Sequence, residues 1–132
     1  MKFIDYSDLY FRSIAKAALP ACRRGKFVHM EYGDDEYLVL SPVEFHVYHA
    51  MIVERFCSLH GIEGQYDRAK HAFNLYDAEC AVLGGGVWLM DDERRIFRIS
   101  GVSQVYGSFD RPRVLQALKT VGRLRGYEIE CV

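Results

Sequence analysis

Hydrophobic residues recur at three- and four-residue steps near the start of the chain, the spacing of one face of a helix. Pro20 follows at the point where such a helix has to end. The pattern predicts a helix over residues 5–19. The positions that set this spacing are Leu9, Tyr10, Ile14, Ala17 and Ala18.

Two strand-like segments follow, residues 26–32 (KFVHMEY) and 36–40 (EYLVL). The residues between them, Gly33-Asp34-Asp35, are typical of a tight turn. The pair therefore predicts a β-hairpin.

A helix-start motif comes next, at Ser41-Pro42-Val43-Glu44. It combines a capping serine, a proline in the first helical position and a glutamate that closes a capping box. The motif predicts a helix running to about Leu59, with Gly61 as its C-terminal stop. On a helical wheel His49 falls on the apolar side, nearly in line with Phe45 and Phe56.

The second half of the chain alternates short strands with turns and ends on a further helix. Its pattern predicts one sheet carrying two or three helices, an α/β (α+β) fold in a single small domain over residues 1–132. The predicted elements are a short helix at 68–73, strands at 79–83 and 87–90 separated by a break at Gly84-Gly85-Gly86, a strand at 95–99, a loop at 101–108, a helix at 110–125 capped by Asp110, and a strand at 127–131.

Composition narrows the class of protein. Half of the 132 residues are hydrophobic, which excludes a disordered chain, and no apolar run approaches the roughly 20 residues that span a bilayer. The 17 basic residues are balanced by 18 acidic ones, which argues against a broad nucleic-acid surface. Asp5 and Asp8 interrupt any secretory signal pattern in the opening residues.

The four cysteines, at positions 22, 57, 80 and 131, show no zinc-ligand or redox spacing. We expect reduced, mostly buried thiols in a cytoplasmic protein.

Some residues could carry chemistry. A histidine on the apolar face of a helix, such as His49, is by default a core residue. Lys26 opens a strand, where a solvated lysine is common, and the triple glycine lacks the pattern of a nucleotide loop. The segment 101–107 (GVSQVYG) has glycine at both ends and a hydroxyl within, so its backbone N–H groups could face an anion.

Together these segments resemble the 14-kDa phosphohistidine phosphatase (Janus/Ocnus) family. The similarity covers about residues 25–132, and the first 24 residues look like an added N-terminal helical extension. The matching segments, in the family's order, are 25–28 (GKFV), 48–50 (YHA), 80–86 (CAVLGGG), 100–107 (SGVSQVYG) and 127–129 (YEI).

The resemblance implies a hydrolase: a metal-independent, cofactor-free phosphatase that cleaves the P–N bond of phosphohistidine or another phosphoramidate. His49 falls on the family's catalytic histidine, as general base or nucleophile. Lys26, Ser103, Gln104 and Val105 fall on its substrate-binding positions. The implied fold is a small mixed sheet flanked by two helices. The implied partner is a phosphorylated protein or a small phosphoramidate, with no nucleic acid and no membrane.

This chain also departs from the family pattern. Animal members tend to carry arginine where this chain has Ser41 and Val87, and residues 61–77 form a longer segment than expected. Arg111 follows the loop that carries Ser103, Gln104 and Val105, here named the phosphate loop after the family's, and is a candidate replacement for the lost charge. These departures leave a second hypothesis open, a non-catalytic relative that binds a phosphorylated ligand or another protein.

Two further hypotheses come from the residues alone. His46 and His49 are three apart and would share a helix face, which suits a metal site completed by a carboxylate. The final helix is basic and could contact a membrane or nucleic acid, although a solvated face is the commoner outcome. Its cations are Arg111, Arg113, Lys119, Arg123 and Arg125.

Overall fold

A six-stranded mixed sheet with two main helices forms the body of the computed structural model, which describes residues 1–132. The sheet order is β1-β3-β2-β6-β7-β8, while β4 and β5 form a separate hairpin. The predicted α+β class is confirmed. The strands are β1 (Lys2–Asp5), β2 (Cys22–Tyr32), β3 (Asp35–Pro42), β4 (Gly64–Tyr66), β5 (Phe73–Leu75), β6 (Cys80–Asp91), β7 (Ile96–Ser100) and β8 (Glu128–Cys131), and the helices are α1 (His49–Leu59) and α2 (Arg111–Leu118).

The sheet separates two hydrophobic clusters, because successive residues of a strand point to opposite faces. On β2, Val28 packs in the cluster beneath α1, while Phe27 packs in the cluster beneath α2. The predicted hairpin is confirmed as β2–β3, with Gly33 at φ +61° in its turn.

The opening helix predicted over residues 5–19 is wrong over most of its length. Residues 2–5 form β1, which pairs in parallel with β3, and only a π-helical turn at Leu9–Ile14 follows. Phe3 packs edge-on against Phe97 at 5.7 Å between ring centroids, and the Tyr6 N–H donates to the Leu40 carbonyl. The first residues are thus part of the main sheet rather than an added helical extension.

Helix α1 begins later than its capping motif predicts. Ser41 and Pro42 belong to β3, opposite Lys26 and Gly25, and the helix starts at His49. Two long-range sheet pairings therefore override the local capping signal. The predicted end is confirmed, since α1 stops at Leu59 and Gly61 has φ +68°.

The break predicted at the triple glycine is wrong. β6 runs through it from Cys80 to Asp91, with a register shift opposite His29 and Met30. A Cβ at Gly84 would lie 2.5 Å from the Ser108 carbonyl oxygen, so the glycines serve close backbone approach.

The segment between α1 and β6 forms the β4–β5 hairpin instead of the helix predicted at 68–73. The last helix is also shorter than predicted. Asp110 caps α2 by accepting from the Arg113 N–H, as expected, but α2 ends at Leu118 and a 3₁₀ turn at Gly122–Leu124 precedes β8. Both β7 and β8 lie where the alternation of polar and apolar residues predicts them.

The four cysteines are free thiols, but only Cys57 and Cys80 are buried; Cys22 is exposed and Cys131 is half-buried. Neither α1 nor α2 has the length and apolarity that a membrane crossing requires.

Candidate active-site cleft

A cleft of about 900 Å³ opens where the start of α1 meets β2 and the loop between β7 and α2. Four of the five residues predicted for the site line it: Lys26, His49, Gln104 and Val105. The fifth, Ser103, is buried behind this surface. The fold therefore brings three distant segments of the chain to one place.

His49 is the first residue of α1 and is only 7% exposed. Its Nε2 lies 2.8 Å from the carbonyl oxygen of Gly86. Because a carbonyl only accepts, Nε2 carries the proton and donates. In the neutral ring Nδ1 then holds a lone pair, and it has no hydrogen-bond partner in the protein.

The surroundings of His49 keep it neutral. Burial lowers its pKa below the ordinary value of 6.5, and the positive charge of Lys26 lowers it further. The hydrogen bond to the Gly86 carbonyl acts in the opposite direction and does not cancel the effect of burial. A neutral imidazole at physiological pH is able to accept a proton or attack an electrophile.

Gly85 lets the ring of His49 and the loop approach the same stretch of backbone. A Cβ at this position would lie 2.7 Å from the Phe27 carbonyl oxygen, 3.1 Å from Cδ2 of His49 and 3.2 Å from Cβ of Ser103. The sequence did not predict that Gly85 packs against His49 and Ser103. Its signal was the triple-glycine motif, which does not indicate which elements of the fold come close to it.

Ser103 organises the loop from within. Its N–H donates to the Gly107 carbonyl at 3.2 Å, the Gly107 N–H donates back at 2.8 Å, and its hydroxyl accepts from the Tyr106 N–H at 3.0 Å. The tip of the loop is different, because the N–H groups of Gln104 and Val105 have no partner in the protein. These two donors, rather than the N–H of Ser103, are free to meet a ligand.

The N-terminus of α1 adds two further donors to the cleft. Its N-cap residue, Tyr48, makes no side-chain capping bond, and the N–H groups of His49 and Ala50 have no partner. Such unpaired donors, together with the helix dipole, favour an anion. The sequence prediction missed them because it placed the helix start seven residues too early.

Lys26 supplies the positive charge of this corner. It makes no ion pair in the protein, and its Nζ lies 5.4 Å from the ring centroid of Tyr48. Its ammonium is therefore free to pair with an anion in the cleft.

Comparison with known protein families adds to this geometry. The sequence model of the Janus/Ocnus family (Ocnus) matches residues 27–128, more than half of the chain. The chain belongs to the Janus/Ocnus family. No curated protein matches it. The matched range includes His49 and the loop that carries Gln104 and Val105.

In this Janus/Ocnus protein the two departures from the family pattern, Ser41 and Val87, lie in different environments. Ser41 is fully buried and forms a hydrogen bond with His46, whereas Val87 is 39% exposed. Arg111 does not line the cleft. Its guanidinium donates to the Gly101 carbonyl, the Ser108 hydroxyl and the Val132 carbonyl, and so it joins the two ends of the loop between β7 and α2.

His46 is a structural residue. Arg55 Nε donates to its Nε2 at 3.0 Å, so its Nδ1 carries the proton and donates to the Ser41 hydroxyl at 2.6 Å. Burial, aided by Arg55, lowers its pKa to about 4. His46 precedes α1, both of its ring nitrogens are occupied, and no group of three metal-ligating side chains forms around it. This geometry does not support the alternative hypothesis of a metal site on His46 and His49.

The basic residues predicted to share the final helix do not form one free surface. Arg113 pairs with Glu31 and Glu36, and Arg123 pairs with Asp5. Arg111 donates to uncharged oxygens of the loop, so the charge of two of these five cations is compensated within the protein.

Proposed function

We propose that this Janus/Ocnus protein is a metal-independent phosphatase that hydrolyses the P–N bond of phosphohistidine or a related phosphoramidate. The observation that carries the proposal is the free Nδ1 of a neutral His49, which shares a cleft with unpaired backbone donors and an unpaired lysine. A nucleophile or base beside an anion site is the minimum that phosphoryl transfer needs. The proposal includes a cytoplasmic setting, where the thiols stay reduced.

The anion site is built from dipoles and one charge. The N–H groups of His49, Ala50, Gln104 and Val105 are unpaired, and Lys26 contributes an ammonium. These groups would hold the oxygens of a phosphoryl dianion and stabilise the charge that develops in the transition state. Because they are fixed by helix and loop, they need little reorganisation when the substrate binds.

The reaction itself adds water across the P–N bond. In one route Nδ1 of His49 takes a proton from water as the water oxygen attacks phosphorus. In the other, Nδ1 attacks phosphorus itself, and water later cleaves the phosphorylated ring. In both, the P–N bond breaks, the departing nitrogen keeps or gains a proton, and inorganic phosphate leaves.

The hydrogen bond to Gly86 supports both routes. It holds Nε2 as the protonated nitrogen and fixes the direction of the Nδ1 lone pair. As Nδ1 gains a proton or a phosphoryl group the ring becomes cationic, and the Gly86 carbonyl would then accept a stronger, charge-assisted hydrogen bond.

A second candidate function is phosphoryl-ligand binding without turnover. It is favoured by the scarcity of charge at the reacting corner, where Val87 is apolar and Arg111 is bonded to loop oxygens. Such a protein would use the same N–H groups and Lys26 but would release its ligand intact.

The decisive experiment compares turnover and binding in His49→Ala. We expect the wild type to release phosphate from a phosphohistidine peptide and His49→Ala to lose this activity by at least a thousandfold while remaining folded by circular dichroism. His60→Gln is the matched control, because His60 caps the opposite end of α1. Activity retained in folded His49→Ala would overturn the mechanism. Phosphate affinity without wild-type turnover would establish the binding function instead.

A further inference from the structure

The cleft is larger than a phosphoryl group needs, and its far wall is the β4–β5 hairpin. Tyr66, Lys70 and His71 line this wall, facing the corner that holds Lys26 and His49 across a volume of about 900 Å³. None of the lining residues is acidic. A ligand that fills this cleft therefore extends from the phosphoryl corner to a second positively charged position.

The hairpin is held in a fixed place above the cleft. The Tyr106 hydroxyl accepts from the Phe73 N–H at 2.9 Å and donates to the Phe73 carbonyl at 3.0 Å, which joins β5 to the phosphate loop. The Phe73 ring is buried and packs edge-on against Tyr66 at 5.3 Å. Two hydrogen bonds thus tie the second wall to the first.

The turn of the hairpin places Lys70 at the wall of the cleft. Asp67 uses its carboxylate to accept from the His71 N–H at 2.7 Å, and its carbonyl accepts from the Lys70 N–H. Lys70 adopts φ +59°, a left-handed conformation that a lysine rarely takes. Lys70 makes no ion pair, so its ammonium is free.

We infer that the β4–β5 hairpin selects phosphorylated protein segments that carry acidic residues beside the phosphorylated side chain. Lys70 and His71 contact the flanking carboxylates while the phosphoryl group occupies the corner formed by the α1 N-terminus and the phosphate loop. This inference rests on the phosphoryl-binding part of the proposed function. It assigns a role to the residue 61–77 segment that the catalytic groups leave unused.

The test measures binding rather than turnover. Two peptides carry a phosphorylated triazolylalanine, a hydrolysis-resistant substitute for phosphohistidine, flanked by Asp and Glu in one and by Asn and Gln in the other. We expect the wild type to bind the acidic peptide about three- to tenfold more tightly, as one or two solvent-exposed charge pairs allow. The preference should shrink between 50 and 500 mM salt because exposed charges are screened.

Three variants test whether Lys70 and His71 cause the preference for the acidic peptide. Lys70→Gln combined with His71→Gln should bind both peptides equally, and Lys70→Glu should reverse the preference. Lys119→Gln, which removes one charge outside the cleft, should keep it. Equal binding of both peptides by the wild type, or a preference that survives in the double variant, would overturn the inference while leaving the proposed function intact. If the preference holds but no variant or wild type turns over phosphohistidine, the proposed catalysis fails and the inference stands.

Discussion

His46 and His49 carry their ring protons on opposite nitrogens although they are only three residues apart. Arg55 donates to Nε2 of His46, so that ring is protonated on Nδ1, whereas His49 donates from Nε2 to the Gly86 carbonyl. Both nitrogens of His46 are occupied, and only His49 keeps a free lone pair. The hydrogen bonds thus give the two histidines different roles: the ring of His46 is fully bonded within the protein, and the ring of His49 can still accept a proton or a ligand.

The pH dependence of turnover should follow His49. Its pKa lies below 6.5, so we expect the rate to rise through one limb below that pH and to level off above about pH 7. The measurement is the initial rate of phosphate release from pH 5 to 8, corrected for spontaneous hydrolysis.

The same assay tests metal independence. Activity should survive dialysis against EDTA, since N–H groups and Lys26 supply the positive potential. Activity that is lost in EDTA and restored by a divalent ion would contradict this expectation.

In the pH experiment, a flat profile between pH 5 and 8 would contradict a proton-accepting role of His49 and leave it as a positioning residue.

Gly85→Ala should damage the site although it adds only a methyl group. The new Cβ would lie 2.7 Å from a backbone oxygen and about 3 Å from both His49 and Ser103. We expect at least a tenfold loss of turnover, because small displacements of a catalytic group are costly, and a stability loss of about 1–3 kcal/mol. Gly122→Ala is the control, since a Cβ there meets nothing within 4 Å. Equal activity of the two variants would show that the close packing around Gly85 is unimportant.

Lys26→Ala should weaken phosphate binding by about 1–3 kcal/mol, the usual contribution of a hydrogen bond to a charged group. Lys26→Arg should restore only part of it, because a planar fork and a point charge differ in geometry. Calorimetric titration with inorganic phosphate measures both, with Lys119→Ala as the reference. Unchanged affinity in Lys26→Ala would remove this residue from the site.

Tyr106→Phe should loosen the hairpin from the loop. It removes both hydrogen bonds to Phe73 and leaves a backbone N–H without its partner, at a cost of about 1–3 kcal/mol. We expect faster hydrogen exchange at the Phe73 amide. Tyr76→Phe, which loses only an exposed 3.4 Å contact to Gln65, should leave that exchange rate unchanged.

His46 should make the protein sensitive to acid. Its pKa is about 4 in the folded state, below the value near 6.5 of an unfolded chain, so folding favours the neutral ring. The resulting stabilisation is complete above about pH 6.5 and is lost as the pH falls toward 4.

The comparison with His46→Gln isolates this contribution, because His29 and His49 also have lowered pKa values and titrate in both proteins. Between pH 7 and 4 the wild type should lose up to about 3 kcal/mol more unfolding free energy than His46→Gln. Parallel stability curves from denaturant titrations would contradict the assignment.

The elements that the sequence predicts well are those whose signals are local. The β2–β3 hairpin follows from its turn residues, β7 and β8 follow from alternation, and Asp110 caps α2 through a bond three residues away. The predictions that failed involve partners distant in sequence. Ser41 resembles a helix cap, but its strand pairs with β2 and its hydroxyl bonds to His46.

The residues of the site also differ in whether the sequence could identify them. Lys26, His49, Gln104 and Val105 were assigned through the family resemblance, and the fold brings them to one cleft. Lys70 and His71 were not anticipated, because they reach the cleft only when residues 64–75 fold into a hairpin and Tyr106 holds it there. No local pattern encodes that contact.

The strand at residues 2–5 has a practical consequence for anyone who trims this protein to its family match. β1 covers the hydrogen-bonding edge of β3 along Tyr37, Leu38, Val39 and Leu40, all of which are buried. A version that starts at residue 27 would leave that apolar edge open, and open edges of this kind pair with other chains. Such a shortened protein should self-associate, and its poor solubility would be the result of the missing strand rather than a property of the family domain itself.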